Sequence, residues 1–211
     1  LIISDSINRY PKTKKILHLF DRVFSFEKKD CEKYNLIFKP NFIYKKVVKS
    51  TSPFLYKVFN ISSYDHRFPI IKKIGEALYS MNEKSKIIIF SSKENKEPYL
   101  EFTKKALPIS EIYNYLEQSE IMLDVNRDKQ NGLSFRVFES LGFKKKLITT
   151  NKDIVNYDFY NSENILIIEN EKDILNISRS FFEKPYKKLS IQIVEKYSVK
   201  GFIDTIFNGN F

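Results

Sequence analysis

The stretch Ile121–Asn151, IMLDVNRDKQNGLSFRVFESLGFKKKLITTN, decides how the rest of the chain is read. Ile121 to Val125 is a mostly apolar run, the pattern of a strand buried on both faces. Asn126 to Gly132 is polar and closes on Asn131-Gly132, a turn signal. Leu133, Val137, Phe138 and Leu141 then fall at helical spacing. Gly142 suits a helix end, and Lys144, Lys145 and Lys146 would complement the negative end of that helix's dipole. Leu147 to Thr150 opens a second strand. Strand, loop, helix and strand make a right-handed crossover, whose loop lies at the sheet edge where α/β proteins bind ligands. The amides opening the helix predicted over 134–141 favour an anion, typically a phosphate.

Outward from this unit the same alternation continues. Strands are expected over 54–61, 86–90, 99–103 and 164–168. Helices are expected from Pro69 to about Met81, over 110–119 with Ser110 as cap, and over 172–182. Strands separated by such helices predict an α/β fold, a doubly wound, Rossmann-like parallel sheet over residues 54–185. Residues 1–44 hold only one or two strand–helix units and read as the tail of a preceding domain. Residues 45–53, KKVVKSTSP, are the linker candidate. Residues 186–211 form a final helical region, broken near Gly201, with room to return toward the N-terminal block.

The chain has 211 residues, enough to bury a substantial core, and 42% of them are hydrophobic, an ordinary globular share. No apolar run approaches the ~20 residues that span a bilayer. Leu1-Ile2-Ile3 is too short for a secretory signal, and the missing initiator Met predicts a start inside a longer protein. The single Cys31 excludes an internal disulfide and a cysteine-rich metal site, and fits a reducing cytoplasm. The net charge of +10 admits three sources: solvated lysines in a sequence of AT-rich bias, attraction to an anionic membrane face, and nucleic acid.

The residues that can carry chemistry lie in the loops after the strands. No glycine-rich dinucleotide loop, Walker loop, paired-His motif or nucleophile elbow is present, which argues against a cofactor-dependent oxidoreductase or a P-loop enzyme. Arg67 and Arg136 can hold a diphosphate through paired guanidinium bonds. Arg67 can equally be a solvated loop residue, and Arg136 can pair with Glu139 three residues on. Glu139 sits in an otherwise apolar helix, where a carboxylate can accept from two ribose hydroxyls or simply face water. Gly132 can let a ligand approach the backbone or serve as a turn glycine. Asp124 can be a site residue or a loop cap. His66 is a candidate acid, base or phosphate donor, or incidental. Tyr157, Phe159 and Tyr160 can stack on a base or pack the loop.

The pattern QNGLSFRVFESLGFKKKLITTN, followed by IVNYDFYNSENILII, resembles the donor-binding C-terminal domain of bacterial GT-B-type glycosyltransferases. It is similar in particular to glycosyltransferase-like proteins of capsule and lipopolysaccharide gene clusters. The resemblance covers 58–168, and SFEKKDCEKYNLIFKPNF at 25–42 looks like the last unit of the acceptor-binding domain. It implies a nucleotide-diphosphate sugar at the carboxyl edge of the sheet. Glu139 matches the ribose-binding glutamate, and Gly132, Leu133 and Ser134 match the helix start that receives the diphosphate. Arg67 lies where a phosphate-binding basic residue often falls. The family needs neither metal nor cofactor. Asn131, eight positions before Glu139, stands where many retaining members carry an acid. Its amide can bond sugar hydroxyls without the charge, which weighs against retaining chemistry. In inverting members the base comes from the preceding domain; within this chain His66 is the candidate.

The expected function is therefore the donor-binding portion of a glycosyltransferase. It would transfer a sugar to a cell-envelope saccharide or lipid-linked acceptor in the cytoplasm, with peripheral contact to an anionic membrane and no nucleic acid partner. A non-catalytic nucleotide-sugar-binding module, a sugar-nucleotide epimerase and a basic nucleic-acid-binding protein are the alternatives.

Overall fold

The computed structural model describes residues 1–47, 53–92, 97–128 and 130–209. Two parallel sheets organise them. The smaller is built from β1 (Ile2–Ile3), β2 (Phe24–Ser25) and β3 (Ile37–Phe38), in that order, with α1 (Lys28–Tyr34) between β2 and β3. Its strands pair Ile2 with Phe24 and Phe24 with Ile37. A 3-10 helix, Pro11–Leu19, joins β1 to β2.

The larger sheet has β4 (Tyr56–Ser63), β5 (Ser85–Phe90), β6 (Glu101–Thr103), β7 (Ser119–Asp124), β8 (Lys146–Thr149) and β9 (Ile165–Ile167). Their spatial order is β6-β5-β4-β7-β8-β9, and every pairing is parallel. The chain thus winds outward from β4 in one direction and returns to wind outward from β7 in the other. Between these two strands lies the switch point, where a doubly wound sheet opens a crevice at its carboxyl edge.

Both faces of the sheet are covered, which explains the near-continuous apolar runs in its strands. On one face Phe59, Ile88, Met122 and Leu147 pack under α3 (Ile109–Glu117) and α4 (Phe135–Gly142). On the other, Val58, Ile87, Ile121 and Ile148 pack under α2 (Phe68–Ser80), α5 (Glu171–Leu175) and α6 (Arg179–Glu183). The last helices, α7 (Ile191–Lys196) and α8 (Val199–Asn208), leave this alternation. Phe202 and Ile206 of α8 pack against Phe24, Ile37 and Phe42, and Lys39 Nζ donates to Thr205 Oγ1 at 2.8 Å.

Several local expectations are corrected. Ser110 lies inside α3, whose cap is Pro108. The helix expected over 172–182 is divided into α5 and α6, and the C-terminal break falls at Tyr197–Ser198, with Gly201 inside α8. Gly142 is the last residue of α4 and has ordinary backbone; the left-handed residue is Lys144, at φ 54°. Gly142 is small because the Lys45 carbonyl would lie 2.2 Å from a Cβ there. Lys145 and Lys146 are buried, and their ammonium groups reach carbonyls of other segments: Lys145 donates to Glu117, and Lys146 to Phe181 and Lys184. Residues 48–52 of the expected linker lie outside the described residues.

Candidate functional site

A cavity of about 320 Å³ opens at the switch point. Its floor is the carboxyl ends of β4 and β7, with Asn60 and Ser62 on one strand and Asp124 on the other. Arg67, Asn126 and Arg127 come from the loops that follow, and Ser134 and Arg136 from the start of α4. The opposite wall comes from the N-terminal block: Ser4 and Asp5 after β1, Phe26 after β2, and Asn41 after β3. Both sheets therefore present their carboxyl edges to one space.

The start of α4 is fixed from below. Ser134 Oγ accepts the Arg136 amide at 3.1 Å, the usual capping bond, and donates to Asp124 Oδ1 at 2.9 Å. Asp124 is 5% exposed, and burial pushes its carboxyl up despite Ser134, Arg136, Arg67 and Thr149. Asp124 thus anchors the helix start through Ser134. The first amides of α4 lack intrahelical acceptors and carry the positive end of its dipole.

The two arginines are pre-positioned. Arg67 makes a two-point pair with Asp65, Nη2–Oδ2 at 2.7 Å and Nε–Oδ1 at 2.9 Å, and donates from Nη1 to the Val125 carbonyl at 3.3 Å. Its side chain is 13% exposed, so it is a tethered residue of the cavity wall and not a solvated one. Burial pushes the Asp65 carboxyl up, but the bonds and charge of Arg67 outweigh it and hold it below the usual range. Arg136 donates from Nη1 to Glu139 Oε2 at 2.7 Å.

Glu139 is 5% exposed and accepts at its other oxygen from the Tyr44 hydroxyl, at 2.7 Å. It borders a second, more open cavity of about 510 Å³, walled by Phe42, Tyr44, Ile109 and Phe135 and joined to the first through Arg136. The Tyr44 and Phe135 rings stand edge to face, with centroids 5.9 Å apart. Burial, the neighbouring Tyr113 hydroxyl and the Glu139 carboxylate push the Tyr44 phenol up, so it donates at neutral pH.

Asn131, Gly132 and Leu133 meet their own chain. The amides of Asn131 and Gly132 donate to the Glu27 carboxylate at 2.9 and 3.2 Å. A Cβ on Gly132 would lie 2.3 Å from the Phe26 carbonyl oxygen, so the close approach that demands glycine is by Phe26. Burial pushes Glu27 up, against the pull of the two amides. Leu133 is buried in the core, and its carbonyl accepts from Asn41 Nδ2 at 2.9 Å. Tyr157 and Phe159 are likewise buried, with Phe138 and Tyr197, and are not placed for stacking on a ligand. His66 accepts the Asp128 amide at Nε2, 3.1 Å, in a third cavity of about 520 Å³ shared with Asp5 and Arg127. Among the described residues no group of three or more His, Cys, Asp or Glu converges to hold a metal, and no helix is long and apolar enough to cross a membrane.

Sequence reasoning misses the N-terminal contributors Asp5, Glu27, Asn41 and Tyr44, and also Asn60 and Arg127. Asn60 had a usable signal, a polar residue inside an otherwise apolar strand, whereas Asp5 and Glu27 follow two-residue strands that carry almost none. Tyr44 had none.

No family model matches the sequence, and no curated protein matches it. Solved structures do. TarM is 14% identical with a TM-score of 0.58, over 95% of this chain and 45% of TarM. The C-terminal domain of LpcC, a glycosyl transferase group 1 family protein from Francisella tularensis, is 10% identical with a TM-score of 0.44, over 78% of this chain and 94% of that one. The kitacinnamycin glycotransferase is 11% identical with a TM-score of 0.44, over 92% and 56%. At these identities only the fold is shown, and the TarM likeness carries it: a Rossmann-like α/β architecture of the GT-B type. The chain spans less than half the length of TarM.

Proposed function

We propose that this chain binds a nucleotide-diphosphate sugar and is the donor-binding portion of a glycosyltransferase. The observation that carries the reading is the cavity at the β4–β7 switch point, lined by the first residues of α4 and by Arg67. Helix amides and forked guanidinium groups are the donors that suit a diphosphate. Beside them, Glu139 at the edge of an aromatic cavity suits ribose and base. In this reading the diphosphate lies against Ser134 and Arg67. Asn131 and Gly132 support the loop through Glu27, and Leu133 through Asn41.

Transfer would follow from departure of the nucleoside diphosphate, its charge stabilised by the helix dipole and the arginines without a metal. A saccharide or lipid-linked acceptor of the cell envelope, made in capsule or lipopolysaccharide synthesis at the inner face of a cytoplasmic membrane, fits the sequence resemblance and the positive charge. Calorimetric titration with UDP, GDP, ADP and CDP sugars tests the donor reading. Binding by one of them, abolished in Arg67→Met, is expected; no binding by any to the folded protein refutes it.

A further inference from the structure

Glu139 is the residue on which the ribose reading rests, yet neither of its oxygens awaits a partner. Oε1 accepts from the Tyr44 hydroxyl and Oε2 from Arg136, each at 2.7 Å. The two donors differ in kind. Arg136 belongs to the same helix as Glu139 and holds it as a short-range pair. Tyr44 comes from the segment after β3, 95 positions away in sequence. Its ring stands in the wall of the aromatic cavity and is 44% exposed, whereas Glu139 behind it is 5% exposed. A hydroxyl at 2.7 Å from a buried carboxylate is the interaction that one hydroxyl of a ribose diol would make. The N-terminal block treats the neighbouring loop in the same way. Glu27 places a carboxylate on the amides of Asn131 and Gly132, where an anion was expected.

We propose that the Tyr44 hydroxyl stands in for the ribose 2′-hydroxyl at Glu139, so that a ribonucleotide enters the site by exchanging places with it. The inference rests on the donor-site reading and adds a residue and a selectivity to it. In the unliganded protein the buried carboxylate keeps a donor and avoids the cost of an unpaired charge. On binding, one hydroxyl replaces another at the same oxygen, while the phenol turns outward from a position already half exposed. Because the exchange is hydroxyl for hydroxyl, Tyr44 lowers affinity for every ribonucleotide. It also masks the advantage of ribose over deoxyribose.

The test is the affinity of UDP, GDP, ADP and CDP, each beside its 2′-deoxy analogue, for the wild type, Tyr44→Phe and Glu139→Gln. Tyr44→Phe removes only the hydroxyl and keeps the ring against Phe42 and Phe135; its thermal midpoint and circular dichroism establish that it folds. The expected result is about tenfold tighter binding of the preferred ribonucleotide to Tyr44→Phe, with a smaller gain for the deoxy analogue, and weaker binding to Glu139→Gln. Equal or weaker ribonucleotide binding to Tyr44→Phe overturns the proposal and leaves the donor reading intact, since Tyr44 then only orients Glu139. An equal gain for the deoxy analogue also overturns it, because the hydroxyl then only obstructs the site. No binding to either protein overturns both.

Discussion

Replacing Gly132 by Ala tests whether the two blocks meet as tightly as described. The added Cβ would lie 2.3 Å from the Phe26 carbonyl oxygen and 2.5 Å from Phe26 Cδ2. A carbon in ordinary contact needs at least 3.4 Å, so Phe26 or the loop has to retreat by about 1 Å. The obstacle is backbone and cannot rotate away. The same retreat stretches the bonds from the Asn131 and Gly132 amides to Glu27, already 2.9–3.2 Å, and leaves a buried carboxylate short of donors. Overpacking of this kind costs about 1–3 kcal/mol, and the Glu27 contacts put this site at about 3 kcal/mol. In a chain of this size that lowers the thermal midpoint by about 6–12 °C. Gly75→Ala is the control. Its Cβ meets only side chains, Tyr99 Cδ2 at 2.9 Å and Ile87 Cδ1 at 3.2 Å, inside a helix that favours Ala. Scanning calorimetry of both variants decides: Gly132→Ala within 1 °C of the wild type, or Gly75→Ala falling as far, refutes the reasoning.

Lys145 supplies a pH test. Burial lowers its pKa to about 8, although Glu117 and Glu120 oppose the shift. Below about pH 8 both folded and unfolded forms are protonated and the penalty for a buried ammonium is constant. Between about 8 and its ordinary value of 10.5 the unfolded chain holds more protons, so folding stability contributed by this group rises with pH. Urea midpoints of the wild type should gain on those of Lys145→Met across that window; a constant difference speaks against the burial. Phe138→Ala should cost about 3–5 kcal/mol in urea unfolding, because the ring is fully buried among Phe159, Tyr197 and the sheet. Asp124→Asn should weaken nucleotide binding while Ser134→Ala in the same background adds little further, since the two act through one bond; additive losses would separate them.

The sheet was legible because its strands are buried on both faces. The apolar runs at 86–90 and 121–125 could be little else, and the helical spacing of Leu133, Val137, Phe138 and Leu141 marked α4. That 121–124 returns to pair beside 58–59 was not legible, because the right-handed crossover rule fixes the hand of each connection and not the strand order. The N-terminal block was only partly legible, since two-residue strands carry almost no periodic signal. The site was legible by region and not by partner. Glu139 and Arg136 do pair along the helix, as their spacing allows. Gly132 reads as either a ligand-approach or a turn glycine because sequence cannot show that Phe26, more than a hundred residues earlier, takes that space. Lys146 reads as a complement to the helix dipole because its acceptors, the Phe181 and Lys184 carbonyls, are set by a helix end that local pattern does not place.

The central claim is that the crevice between β4 and β7 receives a nucleoside diphosphate. Titrating the protein with UDP, GDP, ADP and CDP, then repeating the tightest with Arg67→Met, tests it most directly. Saturable binding with a Kd below about 1 mM is expected, weakened tenfold or more in the variant. Binding that is undetectable for all four, or unchanged without Arg67, would contradict it.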